Sequence, residues 1–305
     1  MKESRSQFVP VRGLRYHVRT WGNPSSRKLF LLHGWMDVSA SFQFLVDALR
    51  GDWCVCAPDW RGFGPTEWPH DGYWFTDYLA DLDALLRALA TNERVDLAGH
   101  SLGGNVALLY AGLRPDHVRA IASLDGFGIP AEGTDRAPEK LTAWLDALAK
   151  PPALAPYADF AAVADRLQKN NPRLPRDRAV FLATHWASQQ TDGSIRLRAD
   201  PRHKLPFPIV YRLEEAFAIW GKITAPTLWV AASESRIPKW LAKGAGGEEE
   251  VARRMAHIRG ARLVTIENAG HMLHHDQPEA VAAALEEFLY AAHNDSGGSE
   301  WLPQG

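Results

Sequence analysis

This chain of 305 residues contains few cysteines and carries almost no net charge. Its two cysteines are Cys54 and Cys56. On a strand their Cα atoms would lie roughly 6.6 Å apart, near the upper limit for a disulfide, so we expect two reduced, buried thiols. The 34 Lys and Arg residues nearly balance the 36 Asp and Glu residues, and the net charge is −2. No global field therefore favours nucleic acid or an anionic membrane as a partner.

Long apolar runs are missing as well. No run approaches the ~18 residues of a membrane span, and residues 1–7 are polar, unlike the apolar centre of a signal peptide. We therefore expect a cytoplasmic protein with no membrane span and no nucleic-acid partner. Tryptophan, in contrast, is abundant: the chain holds 12 tryptophans, which indicates a bulky apolar cavity.

Strand-like and helix-like segments alternate along most of the chain. Strands are predicted at residues 8–11, 15–20, 29–32, 53–57, 95–98, 120–124, 227–231 and 262–266. Helices are predicted by apolar spacing at residues 42–49, 77–90, 102–113, 248–258 and 278–291. Several strands are continuous apolar runs, as expected when both faces of a sheet are covered. The alternation predicts an α/β protein with a mostly parallel sheet flanked by helices.

This alternation stops near Gly126 and resumes at Pro226. Helical stretches are predicted between these points at residues 138–150, 158–169 and 177–190, separated by prolines. We expect residues 127–225 to form a mostly helical cap over one edge of the sheet, and residues 1–126 and 226–305 to form the core. The tail from about residue 294, which contains Ser-Gly-Gly-Ser, is expected to be disordered.

The segment Gly99-His100-Ser101-Leu102-Gly103 lies where a predicted strand gives way to a predicted helix. A serine held on such a sharp turn needs small neighbours two residues away on either side. Its position at the helix N-terminus also favours negative charge developing beside it. We therefore expect Ser101 to be a nucleophile. A second turn, His33-Gly34-Trp35, follows an earlier strand, and the N–H groups of Trp35 and Leu102 are predicted to form an oxyanion hole.

These motifs resemble those of the α/β-hydrolase superfamily, within it the capped, serine-hydrolase-like esterase branch. The resemblance covers about residues 8 to 292 and rests on His33-Gly34-Trp35, Asp59-Trp60-Arg61-Gly62-Phe63-Gly64, Gly99-His100-Ser101-Leu102-Gly103-Gly104 and Ala269-Gly270-His271. It implies an eight-stranded, mostly parallel sheet with a helical cap inserted between strands six and seven. It also implies a Ser-acid-His triad.

The histidine of such a triad is expected at His271, on a loop between the strand at 262–266 and the last helix. His274 and His275 follow at helical spacing and could mimic a metal-binding face. Because no carboxylate-rich motif accompanies them, we expect no metal. No cofactor is expected either. Both side chains are expected at the surface or behind the reacting groups.

Two carboxylates compete for the third position of the triad. Glu234 follows the strand at 227–231, where the resembled family usually carries its acid, although an Asp is commoner there. Asp125 follows the strand at 120–124, where some relatives place it. Either could orient the histidine and stabilise the imidazolium. The sequence favours Glu234.

We expect a cofactor-independent serine hydrolase that cleaves small apolar carboxylic esters, lactones or thioesters, as a monomer or homodimer. A C–C bond hydrolase uses a similar triad, and a non-catalytic ligand receptor on the same fold is a further alternative. Aromatic side chains are candidates for the substrate pocket: Tyr73, Trp74, Phe127, Trp144, Trp186 and Tyr211.

Overall fold

The computed structural model describes residues 1–294, and its centre is one eight-stranded sheet. The strands are β1 (Ser4–Val11), β2 (Leu14–Trp21), β3 (Arg27–Leu32), β4 (Trp53–Pro58), β5 (Val95–His100), β6 (Val118–Leu124), β9 (Thr227–Ala232) and β10 (Arg262–Ile266). Their order in the sheet is β1-β2-β4-β3-β5-β6-β9-β10. The pairs β1–β2 and β2–β4 are antiparallel and the other pairs are parallel, which confirms the predicted mostly parallel sheet.

Helices lie on both faces of this sheet and in the segment between β6 and β9. They are α1 (Gln43–Ala48), α2 (Phe75–Leu89), α3 (Leu102–Leu113), α4 (Ala137–Ala149), α5 (Phe160–Asn170), α6 (Arg176–Trp186), α7 (Leu213–Trp220), α8 (Ile237–Leu241), α9 (Gly247–Met255), α10 (Leu273–Asp276) and α11 (Pro278–Asn294). Along β3, Phe30 and Leu32 join the core cluster beneath α2 and α3, whereas Leu29 and Leu31 join the cluster beneath α1 and α11. This alternation explains the continuous apolar runs, because successive side chains enter different buried layers.

The segment between β6 and β9 contains α4 to α7 and a two-stranded hairpin, β7 (Ala187–Gln189) and β8 (Ile195–Leu197). The prediction of a helix over 177–190 is therefore wrong at its end. Helix α6 ends at Trp186, and the chain then turns at Asp192 and Gly193. The φ of Gly193 is +83°. Ser194 donates its backbone N–H to Asp192 Oδ1 at 2.9 Å, which closes the turn.

Parallel pairing brings the carboxyl ends of β3, β5, β6 and β10 to one edge of the sheet. The chain then continues from these ends into the loops that carry His33, Ser101, Asp125 and His271. The predicted tail lies outside residues 1–294, apart from its first residue, which ends α11. Cys54 and Cys56 are buried free thiols, as expected. Within residues 1–294, no helix has the length and apolar character needed to cross a bilayer.

Candidate active site

Ser101 lies on a strained turn between β5 and α3. Its φ is +51° and its ψ is −112°, a conformation that residues with a side chain rarely adopt. A Cβ on Gly99 would lie 2.3 Å from the backbone of Gly103, and one on Gly103 would lie 2.0 Å from the carbonyl oxygen of Leu32. Both contacts are far shorter than van der Waals separation, so the two glycines permit the turn and its close approach to β3.

A hydrogen-bonded series of three side chains runs from this turn into the protein. Ser101 Oγ lies 3.1 Å from His271 Nε2, and His271 Nδ1 lies 2.6 Å from Asp125 Oδ2. Asp125 is buried directly after β6 with a φ of +50°. Ser235 donates its hydroxyl hydrogen to the same Asp125 oxygen at 2.5 Å, a contact that no sequence pattern indicated. The arrangement has the geometry of a nucleophile, a base and an orienting acid.

Glu234, which the sequence favoured as the acid, is not hydrogen-bonded to His271. Its carboxylate forms an ion pair with Arg173, which precedes α6, and half of its side chain is exposed. The backbone N–H of Glu234 donates to Ala269 O at 2.9 Å, so its main chain lies close to the loop of His271 while its side chain turns away. The structure therefore corrects the assignment: Asp125, the alternative, is the carboxylate that is hydrogen-bonded to His271.

The two predicted oxyanion donors flank Ser101. Leu102 is the first residue of α3, and its N–H has no carbonyl partner within that helix. The turn that carries Trp35 packs directly on the serine, since a Cβ on Gly34 would lie 3.4 Å from Ser101 Cβ. Trp35 and Leu102 also border the same cavity. Negative charge developing beside Ser101 would thus lie at the positive end of α3, next to the N–H of Leu102.

This cavity has a volume of about 240 Å³ and reaches from Leu102 to the segment between β6 and β9. Three of the predicted pocket residues line it, Tyr73, Trp74 and Trp144. The rings of Trp74 and Trp144 lie 6.4 Å apart, and Trp74 lies 6.5 Å from the ring of Phe207. The cavity therefore adjoins the turn of Ser101 through Leu102 and has an aromatic wall.

The other three predicted pocket residues lie elsewhere. Phe127 is fully buried in the core, edge-on to Trp229 at 4.8 Å. Trp186 ends α6 and donates its indole N–H to Asp37 Oδ1 at 3.1 Å. Tyr211 is held through its backbone N–H, which donates to Glu132 at 3.0 Å. Aromatic residue type alone does not separate cavity lining from core packing.

Several further histidines surround the site, and burial makes them weaker bases by lowering their pKa. His33 is fully buried, with one ring nitrogen 2.7 Å from Gly34 O and the other accepting the N–H of Trp60 at 2.9 Å. Burial lowers the pKa of His33 to about 4. His274 and His275 are both buried, so of the two expected placements the one at the surface is wrong.

Comparisons with known proteins agree with this fold. A curated relative, a serine hydrolase-like protein of Danio rerio, is 28% identical over 98% of this chain and 93% of its own length. A 2-(acetamidomethylene)succinate hydrolase of Mesorhizobium japonicum is 25% identical over 94% of this chain and 95% of its own length. A solved thioesterase domain from the curacin biosynthetic pathway superposes with a TM-score of 0.82 at 23% identity, covering 93% of this chain and 99% of that domain. The model of the alpha/beta hydrolase family matches residues 29–284, and the chain belongs to this family.

Proposed function

We propose that this hydrolase cleaves carboxylic esters through an acyl-enzyme formed on Ser101. The observation that carries the proposal is the hydrogen-bonded series from Ser101 through His271 to Asp125. His271 Nε2 takes the hydroxyl proton as Ser101 Oγ attacks the ester carbonyl carbon, and Asp125 stabilises the imidazolium. The N–H groups of Trp35 and Leu102 donate to the oxyanion.

The intermediate collapses when the C–O bond to the alcohol breaks, and His271 returns the proton to the leaving alkoxide. Water then attacks the acyl-enzyme with His271 again acting as the base, and the acid and free Ser101 are released. We further propose that residues 127–225 act as a cap, since Trp144 and Leu148 of α4 contribute to the cavity beside Leu102. The cap would then set the size of the acyl or alcohol group that fits.

The charges around the cavity favour an uncharged substrate. Arg202 is the one Lys or Arg side chain among the described lining residues. Its guanidinium is already bound to Asp200 and to the backbone carbonyl oxygens of Pro69 and His70. A carboxylate on the substrate would meet no free cation here, and burying it unpaired would be costly. Aromatic and aliphatic walls suit an apolar ester.

Active-site labelling tests the nucleophile. A fluorophosphonate probe should label the wild type and the matched variant Ser25→Ala, whose serine is exposed, while Ser101→Ala should remain unlabelled. Equal labelling of Ser101→Ala and the wild type would refute the assignment.

The same variants should be assayed on p-nitrophenyl esters and on a β-diketone of matched size. A higher kcat/KM on the diketone would replace ester cleavage with C–C bond hydrolysis, and binding without turnover would indicate a receptor.

A further inference from the structure

Three buried side chains converge behind the reactive serine. Asp37 lies on the loop after β3, His100 ends β5, and His274 lies in α10. One carboxylate oxygen and one nitrogen of each imidazole lie within 4.8 Å of one another. Their exposed fractions are 3%, 2% and 0%, so water reaches none of them freely. None of the three is a member of the hydrogen-bonded series that carries the proposed function.

Each of these side chains also has one polar atom without a hydrogen-bond partner among the described residues: Asp37 Oδ2, His100 Nδ1 and His274 Nδ1. Buried polar atoms are nearly always paired, because leaving one unsatisfied costs about 1–3 kcal/mol. Three such atoms on three neighbouring side chains therefore point to a shared partner. This partner is a cation, a proton or a water molecule.

The opposite atoms of the three side chains are engaged, and they determine what the free atoms offer. Asp37 Oδ1 accepts the backbone N–H of Val38 at 2.8 Å and the indole N–H of Trp186 at 3.1 Å. His100 Nε2 donates to the carbonyl oxygen of His271 at 2.7 Å, which leaves a lone pair on His100 Nδ1. His274 Nε2 lies 3.4 Å from Ser41 Oγ. When His274 donates its Nε2–H to this oxygen, a lone pair remains on His274 Nδ1 as well.

We propose that Asp37, His100 and His274 form a binding site for one divalent transition-metal ion of the Zn²⁺ type. Two imidazoles and a carboxylate form a common ligand set for such an ion, with a fourth position left for water. A histidine ligand usually donates its other N–H to a carbonyl or carboxylate, as His100 does to His271. The absence of a side chain at Gly34 keeps the nitrogen accessible, because a Cβ there would lie 2.9 Å from His100 Nδ1.

A cation accounts for all three lone pairs at once, whereas a proton on Asp37 serves one neighbouring nitrogen. Zn²⁺ holds its ligand atoms roughly 3.4 Å apart, so the side chains would move inward by about 1 Å on binding. The ion would join the loop after β3, the end of β5 and α10. Its expected effect is to stabilise the folded chain around the turn of Ser101.

Metal binding by the full chain tests this proposal directly. Protein stripped with a chelator and dialysed should take up one equivalent of Co²⁺ with the visible absorption of a bound ion, and Zn²⁺ should raise its Tm. Asp37→Asn should abolish both effects, as should His274→Gln. The control variant His257→Gln removes an exposed histidine outside the cluster. It should bind metal as the wild type does, because the proposed site does not include surface histidines.

The variant Asp37→Asn also separates a metal site from a shared proton. Its amide keeps an acceptor oxygen for Val38 and Trp186 and adds N–H donors beside the two unpartnered nitrogens, so the fold should be retained. Near-UV circular dichroism checks this. The proposal is overturned if the wild type takes up no Co²⁺ and shows no Zn²⁺-dependent rise in Tm. It is equally overturned if Asp37→Asn and His274→Gln bind metal as well as the wild type.

Discussion

Asp125 Oδ2 lies 2.6 Å from Nδ1 of His271, although the two residues are 146 positions apart in the chain. The carboxylate comes from the end of β6, and the imidazole comes from the loop after β10. Because β9 lies between these strands, the loop after β9 is a neighbour of both. It contributes the hydroxyl of Ser235 to the carboxylate rather than an acid of its own.

The substitution Asp125→Asn should reduce kcat on an ester substrate by about 10⁴-fold, because the amide favours the wrong tautomer of the histidine. Glu234→Gln is the matched control, since it neutralises the other candidate carboxylate. Its side chain is half exposed and paired with Arg173, so we expect a change of no more than a few-fold. Steady-state kinetics on both variants check this. A large loss in Glu234→Gln with an active Asp125→Asn would reverse the assignment.

The sequence predicted the sheet well because several of its strands, such as β4, are short, continuous apolar runs that hardly depend on distant residues. The turn of Ser101 and the loop of His271 were predictable for a similar reason, since local glycines mark both. The choice between Glu234 and Asp125 was not local. The direction of the Glu234 side chain depends on Arg173, from the segment between β6 and β9, and neither periodicity nor motif spacing reports that contact.

The convergence of Asp37, His100 and His274 was invisible in the sequence for the same reason. The three residues come from the loop after β3, the end of β5 and the helix α10. The spacing of His271, His274 and His275 suggested a different set. The hairpin after α6 was missed because the strands β7 and β8 have three residues each, too few for alternation to be visible. Tertiary contacts decide such elements.

Replacement of Gly103 by alanine should destabilise the protein by about 1–3 kcal/mol or more, since the new Cβ would meet the Leu32 carbonyl oxygen at 2.0 Å. Backbone cannot move aside as a flexible side chain would. Gly221→Ala is the matched control: the nearest atom to its Cβ is 3.4 Å away, and its φ of −62° suits alanine. That variant should be neutral or stabilised by about 0.4–1 kcal/mol. Urea unfolding of both variants measures the difference.

The buried carboxylate of Asp81 should matter more to stability than its neighbour Asp83 on α2. Asp81 is fully buried and binds Arg61 through two hydrogen bonds at 2.6 and 2.7 Å. Asp81→Ala removes a carboxylate that balances the positive charge of this buried guanidinium. The variant should lose about 3 kcal/mol of unfolding free energy. Asp83 forms more exposed ion pairs, so Asp83→Ala should cost about 1 kcal/mol or less. Similar losses in the two variants would contradict this prediction.

Acid should destabilise the protein through its buried neutral histidines. Burial lowers the pKa of His203 to about 3, from 6.5 in the unfolded chain. Between these values the unfolded state binds a proton that the folded state does not, so the free energy of unfolding falls as the pH drops. The expected contribution is about 1.4 kcal/mol per pH unit. His203→Phe can keep the stack between Phe63 and Tyr73. It should reduce the slope of unfolding free energy against pH by up to the contribution of one proton. An unchanged slope in urea titrations at several pH values would contradict it.

The aromatic wall of the cavity should limit the size of the acyl group. Trp144 on α4 lines the cavity beside Leu148, and its indole faces Trp74 at 6.4 Å. Trp144→Ala removes this wall, so kcat/KM for long-chain esters should rise by roughly 10-fold relative to kcat/KM for short-chain esters. The reason is that each methylene that a pocket accepts or rejects is worth about 1–3 kcal/mol. Trp240→Ala is the control, because Trp240 is half exposed and outside this cavity. A p-nitrophenyl ester series of increasing chain length measures both variants. If the two profiles match that of the wild type, the acyl chain binds elsewhere and the cavity beside Leu102 is not the substrate pocket.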